Sequence, residues 1–152
     1  MPIDPIVDLS KHLLVTSIIA VCLWWKYHDL RLVMISYLTG ILIDVDHFFD
    51  FFYYSLTAVQ GKLNLMDFFN PDVYVKATSK VFVLFHGWEY LLILGLFARK
   101  FFKRIPGIFW ALILPYFCHL IIDQSPFVRA PLAYFFINRL IHNFSLTAFN
   151  GY

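Results

Sequence analysis

The chain of 152 residues carries twelve basic and ten acidic side chains, for a formal net charge of +2, while 61% of it is hydrophobic and 20% aromatic. Only 14% is charged, against about 25% in an ordinary soluble domain, and the mean hydropathy is +0.70. So small a chain has too little interior to hide that much apolar surface, which excludes a molecule surrounded by water, and its weak, scattered positive charge excludes nucleic acid as a partner.

The expectation is one membrane-embedded domain over residues 1–152: an all-α bundle of about four transmembrane helices with a C-terminal interfacial helix. In lipid every backbone polar group needs an internal partner, which leaves helices for so few long apolar runs. The start, Met1-Pro2-Ile3-Asp4-Pro5, lacks the basic region and small-residue cleavage site of a removable signal, so the first helix is expected to remain. Residues 13–27 form the first run. Tyr27-His28-Asp29 is a tight polar link to the second, residues 30–54. A polar connection, residues 55–80, follows, with Gly61, Asn64, Asn70-Pro71 and Lys76. The third run covers residues 81–98, and Pro106-Gly107 opens the fourth at 107–122, where Pro115 predicts a kink one turn before His119. Beyond Asp123, a Gln124-Ser125-Pro126 turn leads to residues 131–149, apolar but interrupted by Arg139 and His142, which are expected to lie in the interface.

The densest basic cluster, Arg99-Lys100 with Lys103-Arg104, and the pair Lys26 and Arg31 flank two short links; the positive-inside rule places both links in the cytoplasm. Lys62, Lys76, Lys80, Arg129 and Arg139 then fall outside. The expected location is the cytoplasmic (inner) membrane. Cys22 and Cys118 fall near opposite faces, which argues against a disulfide.

With helices alternating in direction, the unusual polar residues collect at the end opposite the basic links. His12 opens the first helix, Asp44, Asp46 and His47 lie late in the second, His86 and Glu89 early in the third, and His119 and Asp123 close the fourth. Residues three or four apart share a helix face, so Asp44 with His47, Asp46 with Asp50, His86 with Glu89 and His119 with Asp123 are pairs able to grip one ion. Mixed imidazole and carboxylate donors suit zinc, manganese or iron, and their number suits one or two divalent transition-metal ions. His12, Asp44, His47, His86, His119 and Asp123 are the expected ligands. Glu89 and Asp46 are the expected general bases, Glu89 because a carboxylate inside an apolar run is costly unless paired or functional. Gly40 and Gly87 are expected to let helices approach closely there. His28 and His142 read as ordinary polar side chains. Both halves of the chain follow ligand, apolar run, basic link, apolar run, ligand, without enough identity for a true repeat.

This pattern resembles that of the YdjM-type family, LexA-regulated inner-membrane proteins described as metal-dependent hydrolases. The family's early histidine corresponds to His12, and its Pro-Asp-x-Asp-His to Ile43-Asp44-Val45-Asp46-His47. Its histidine-rich motif corresponds to His86-Gly87-Trp88-Glu89, and its His-x-x-x-Asp helix end to His119 through Asp123. Ile43 stands where the family has proline, and the third motif where many members carry His-Arg-Gly-x-Thr-His. The resemblance, over residues 12–123, implies a hydrolase. The expected activity is hydrolysis of a phosphoester or related bond in a lipid or lipid-linked substrate, by metal-activated water at the extracytoplasmic face. The alternative is transport of metal ions or protons through the same cluster. It is disfavoured because residues 15–23 and 91–98 offer scarcely any polar relay; a haem subunit with histidine pairs is disfavoured by the carboxylates.

Overall fold

The computed structural model describes residues 5–62, 64–127 and 130–150. Eight α-helices follow in chain order among these: α1 (Pro5–Tyr27), α2 (Leu30–Gly40), α3 (His47–Thr57), α4 (Pro71–Thr78), α5 (Glu89–Phe101), α6 (Ile108–Phe127), α7 (Phe136–Ile141) and α8 (Leu146–Asn150). Short 3-10 turns occupy Leu42–Asp46 and Leu65–Phe69. No strand is present among the described residues, where β pairing is limited to an isolated bridge between Lys80 and Ser145. The all-helical class expected from the backbone argument is what the chain adopts.

Helices α1, α2 and α6 pack on one another, and α5 packs on α6. At the basic end Leu23, Leu32, Ile108 and Ala111 form an apolar core. The two basic links lie side by side there, since a Cβ added to Gly107 would sit 2.7 Å from the Tyr27 ring. At the other end Ile43, Tyr116 and Leu120 pack with Ala133 and Tyr134 of the C-terminal segment.

The second apolar run is not one helix. After Gly40 it tightens into a 3-10 turn and re-emerges as α3, bent by 41°. The cause is a competition for one carbonyl. In a continuous helix the Asp44 N–H would donate to Gly40 O, but that oxygen accepts from His119 Nδ1 at 2.9 Å, and Asp44 N turns instead to Ile41 O at 3.3 Å. Pro115, where a kink was expected, lies inside the single helix α6; it has no N–H for Ala111 O, and the Thr39 hydroxyl of α2, 2.9 Å from Ile35 O, comes within 3.0 Å of that carbonyl as well.

The third run also departs from expectation, because helix α5 starts only at Glu89 and the preceding residues are irregular. Their backbone groups are taken by side chains from elsewhere. Asp50 accepts from Phe82 N (2.6 Å) and Val83 N (3.0 Å), and Asp46 from Phe85 N (2.6 Å). Tyr116 donates to Phe85 O at 2.5 Å and Arg139 to Val83 O and His86 O at 3.0 and 2.7 Å. With these partners, buried irregular backbone becomes affordable, even with Val83 at φ +32°.

Elsewhere the boundaries shift by identifiable margins. Helix α1 starts at Pro5, well before residue 13, and α6 runs through the expected Gln124-Ser125-Pro126 turn. The polar connection holds α4, and the tail holds two short helices where one was expected. Residues 1–4 and Arg129, which entered the signal and orientation arguments, lie outside the described residues. Among the described residues one helix, Ile6–Tyr27, is long and apolar enough by itself to cross a membrane; Leu30–Gly40 with Leu42–Thr57 counts as a second only if the bent pair is one span, and Ile108–Gln124 is apolar but shorter.

Candidate metal centre

Five of the expected ligands converge where α1, the turn after α2, the segment before α5 and the end of α6 meet. His86 Nε2 and His119 Nε2 face each other at 3.0 Å. Asp44 Oδ1 lies 3.3 Å from the first and 3.2 Å from the second, and Asp123 Oδ2 lies 3.2 Å from both. Ligand atoms about 2.0–2.1 Å from a tetrahedral ion stand about 3.3 Å apart. Five of the six separations among these four atoms, 3.0 to 3.3 Å, are close to that figure.

The outer nitrogens of the same rings sharpen the chemistry. His86 Nδ1 lies 2.9 Å from Asp46 Oδ2, and His119 Nδ1 lies 2.9 Å from Gly40 O. A carboxylate and a carbonyl only accept, so both Nδ1 atoms carry a hydrogen, and in the neutral rings both Nε2 lone pairs are directed at one another and at two carboxylate oxygens. Four acceptors so close hold together only around positive charge, whether protons on the rings or a metal ion. Orientation of a ligating imidazole by a carboxylate or carbonyl on its other nitrogen is the usual outer shell of a metal site.

The remaining residues take distinct places. His12, buried and stacked on His119 with ring centroids 4.0 Å apart, directs Nε2 to Asp123 Oδ1 at 3.1 Å. Asp46 is fully buried and orients His86. His47 stands back, its Nε2 3.9 Å from Asp44 Oδ1, and its Nδ1 comes within 3.5 Å of the Tyr74 hydroxyl. Burial pushes that phenol upward from its ordinary pKa, and the carboxylates of Asp50 and Asp46 add to the shift, so it stays protonated. Glu89 is not brought to the cluster. Its two oxygens accept from Phe136 N and Ile137 N at 3.0 Å each, capping α7. The sequence reading put Glu89 inside a helix, and the irregular segment before α5 places it at a helix start instead.

Among the described residues, sets whose donor atoms are mutually close enough to share an ion include His12, His119 and Asp123; Asp44, His86 and His119; and Asp46, His47 and His86. Cys118 belongs to none of them, Cys22 and Cys118 are both free thiols, and His142 is exposed.

Arg139 was missed from sequence because a lone basic residue in an apolar tail reads as interfacial. It is 2% exposed, and its guanidinium donates to the carbonyls of Ala133, Val83 and His86. Burial draws it below its ordinary pKa, opposed by Tyr134 and Asp46; arginine remains charged all the same. It thereby fixes the backbone on both sides of the His86 ring. Asp50 was seen only as a partner of Asp46, and it too holds the segment that presents His86.

The cluster opens on a cavity of about 360 Å³. Asp8, Asp44, His47, Asp50 and Asp123 line it; Val75, Ile122, Leu146 and Phe149 supply apolar surface, and Lys76, paired with Asp72 at 2.8 Å, is among the lining residues. No family model matches the chain, and no curated protein or solved structure matches it either.

Proposed function

We propose that this chain is a membrane-bound metal-dependent hydrolase of the YdjM type, acting on a phosphoester or related bond of a lipid or lipid-linked substrate. The observation that carries the reading is the facing pair His86 Nε2 and His119 Nε2, with both outer nitrogens committed as donors and Asp44 and Asp123 closing the set beside a cavity. Such a donor set fits zinc, with manganese or iron as alternatives. A divalent ion there would supply Lewis acidity and an activated water. The chain's own side chains do the rest. Asp44, His86, His119 and Asp123 hold the ion; Asp46 and Gly40 O keep the imidazoles in the ligating tautomer; His47, at the cavity wall, is placed to hold and pass a proton. The apolar surface of Val75, Ile122, Leu146 and Phe149 suits an acyl or prenyl chain.

Membrane residence is supported by the outward faces of the bundle. Leu14, Ile18, Val21 and Trp25 on α1, Met34 and Leu38 on α2, and Leu92 and Leu96 on α5 are all exposed. In this reading α1, the bent α2–α3 pair, α5 with the segment before it, and α6 are the four spans, and the basic links set the metal centre toward the extracytoplasmic side of the inner membrane. Transport finds no support from the basic half of the bundle, where Leu23, Leu32, Ile108 and Ala111 pack without a polar relay.

The test is protein purified in mild detergent. It is expected to hold transition metal, to melt at lower temperature after chelation, and to release phosphate from a phospholipid or isoprenoid phosphate only when metal is restored. His119→Ala and Asp44→Asn are expected to lose metal and to lower hydrolysis about 100-fold or more, the scale of several kcal/mol of charge stabilisation. Metal-dependent flux in proteoliposomes without hydrolysis of either lipid would overturn the reading in favour of transport.

A further inference from the structure

One ion between His86 and His119 leaves part of the cluster unexplained. Asp123 turns its two oxygens to different rings: Oδ2 lies 3.2 Å from His86 and His119, while Oδ1 lies 3.1 Å from His12 Nε2. Asp8, one helical turn before His12, brings Oδ2 to 3.8 Å from the same nitrogen. His12 is 3% exposed, its ring is clamped by stacking on His119, and its Nδ1 has no hydrogen-bond partner among the described residues. A histidine retained only to orient a carboxylate needs one acceptor and a fixed tautomer. This one faces two carboxylates, and nothing holds its other nitrogen.

Charge points the same way. Asp8, Asp44, Asp50 and Asp123 line the cavity beside the Asp72–Lys76 pair. With neutral imidazoles, one divalent ion leaves these four carboxylates net negative, which repels an anionic phosphoester. A second divalent ion balances them.

We propose that His12, Asp8 and Asp123 form a second divalent transition-metal site, joined to the first by the Asp123 carboxylate. The proposal rests on the central site being a metal site. Asp8 is the residue it adds: the side chain is one-third exposed and lines the cavity, so the second site keeps positions open toward a bound phosphoryl group. Paired ions bridged in this way hold the attacking and leaving oxygens of phosphoester hydrolysis.

The experiment is zinc titration of the chelator-stripped full chain in detergent, with elemental analysis at saturation, for wild type, Asp8→Ala and His12→Gln. Two ions per chain are expected in wild type. In both variants the second ion is expected to weaken about tenfold or more while the first is retained, a loss at least as large as that from disturbing an outer-shell partner. Asp8→Ala is the safer variant, since the side chain is near the helix start and partly exposed. Manganese gives an independent reading: a spin-coupled pair in wild type, and an isolated-ion spectrum in Asp8→Ala. Saturation of wild type at one ion would overturn this proposal and leave the central site standing. So would two ions of unchanged affinity in both variants, as expected if His12 merely orients Asp123, or loss of both ions together from Asp8→Ala. Wild type binding no ion would remove the central site as well.

Discussion

Glu89 shows how a correct chemical instinct can attach to the wrong element. A carboxylate within an apolar run demands compensation, and Glu89 has it, as the acceptor of two backbone N–H groups at the start of α7. Glu89→Gln keeps one oxygen able to accept but removes the charge. The expected outcome is a loss of about 1–2 kcal/mol in stability, the usual worth of a charged cap, with metal content unchanged and hydrolysis within a few-fold of wild type. A fall of 100-fold or more at constant metal content would instead restore Glu89 as the general base. The residues that converge in the cluster were legible because histidines and acids are rare in apolar runs. The roles of Asp46, Asp50 and Arg139 were not, because each acts on the backbone of a segment distant in sequence.

Helix α2 ends on a glycine that two neighbouring helices approach closely. A Cβ on Gly40 would stand 3.0 Å from Pro115 Cβ and closer still to the Thr16 hydroxyl, so α1 and α6 both approach the bare backbone. Alanine would gain up to about 1 kcal/mol of helix propensity, but overpacking a three-helix contact costs about 1–3 kcal/mol. The clash wins, and it displaces the carbonyl that orients His119. Gly40→Ala is therefore expected to lower the melting temperature and to weaken metal binding together, measured by thermal melts and zinc content in detergent. An unchanged or raised melting temperature would mean that α1 and α6 do not close on α2 in this way. Gly40 as a point of close approach was readable from its place one turn before Asp44. The helix break beside it was not, since hydropathy runs unbroken across residues 30–54.

The bundle as a whole is asymmetric: two basic links side by side at one end, and the histidine–aspartate cluster with its cavity at the other. A cysteine placed at Lys103 is expected to resist impermeant thiol reagents in intact cells, while one at Asn64 reacts; both positions lie in connections, and Asn64 is exposed. Because Cys22 and Cys118 are free, the comparison belongs in a background with both replaced. Reversed labelling would turn the cavity toward the cytoplasm and change the leaflet that supplies substrate, without altering the donor geometry.

Composition alone led to the expectation of a helical chain with an apolar exterior, because a backbone in lipid must bond to itself, and the described residues are helical with Leu14, Ile18 and Trp25 exposed. The order of the polar residues along alternating helices likewise determined that His12, Asp44, His86, His119 and Asp123 share one end. What only the tertiary structure decided is which atoms meet. That Asp123 faces three imidazoles, that Asp46 holds His86 while Glu89 caps a distant helix, and that Arg139 secures the backbone at His86 all follow from an irregular segment, residues 79–88. Its conformation is set by side chains from α3, α6 and α7. Periodicity reports only on hydrogen bonds made within a few residues, and those that shape this site span 29 to 79 residues.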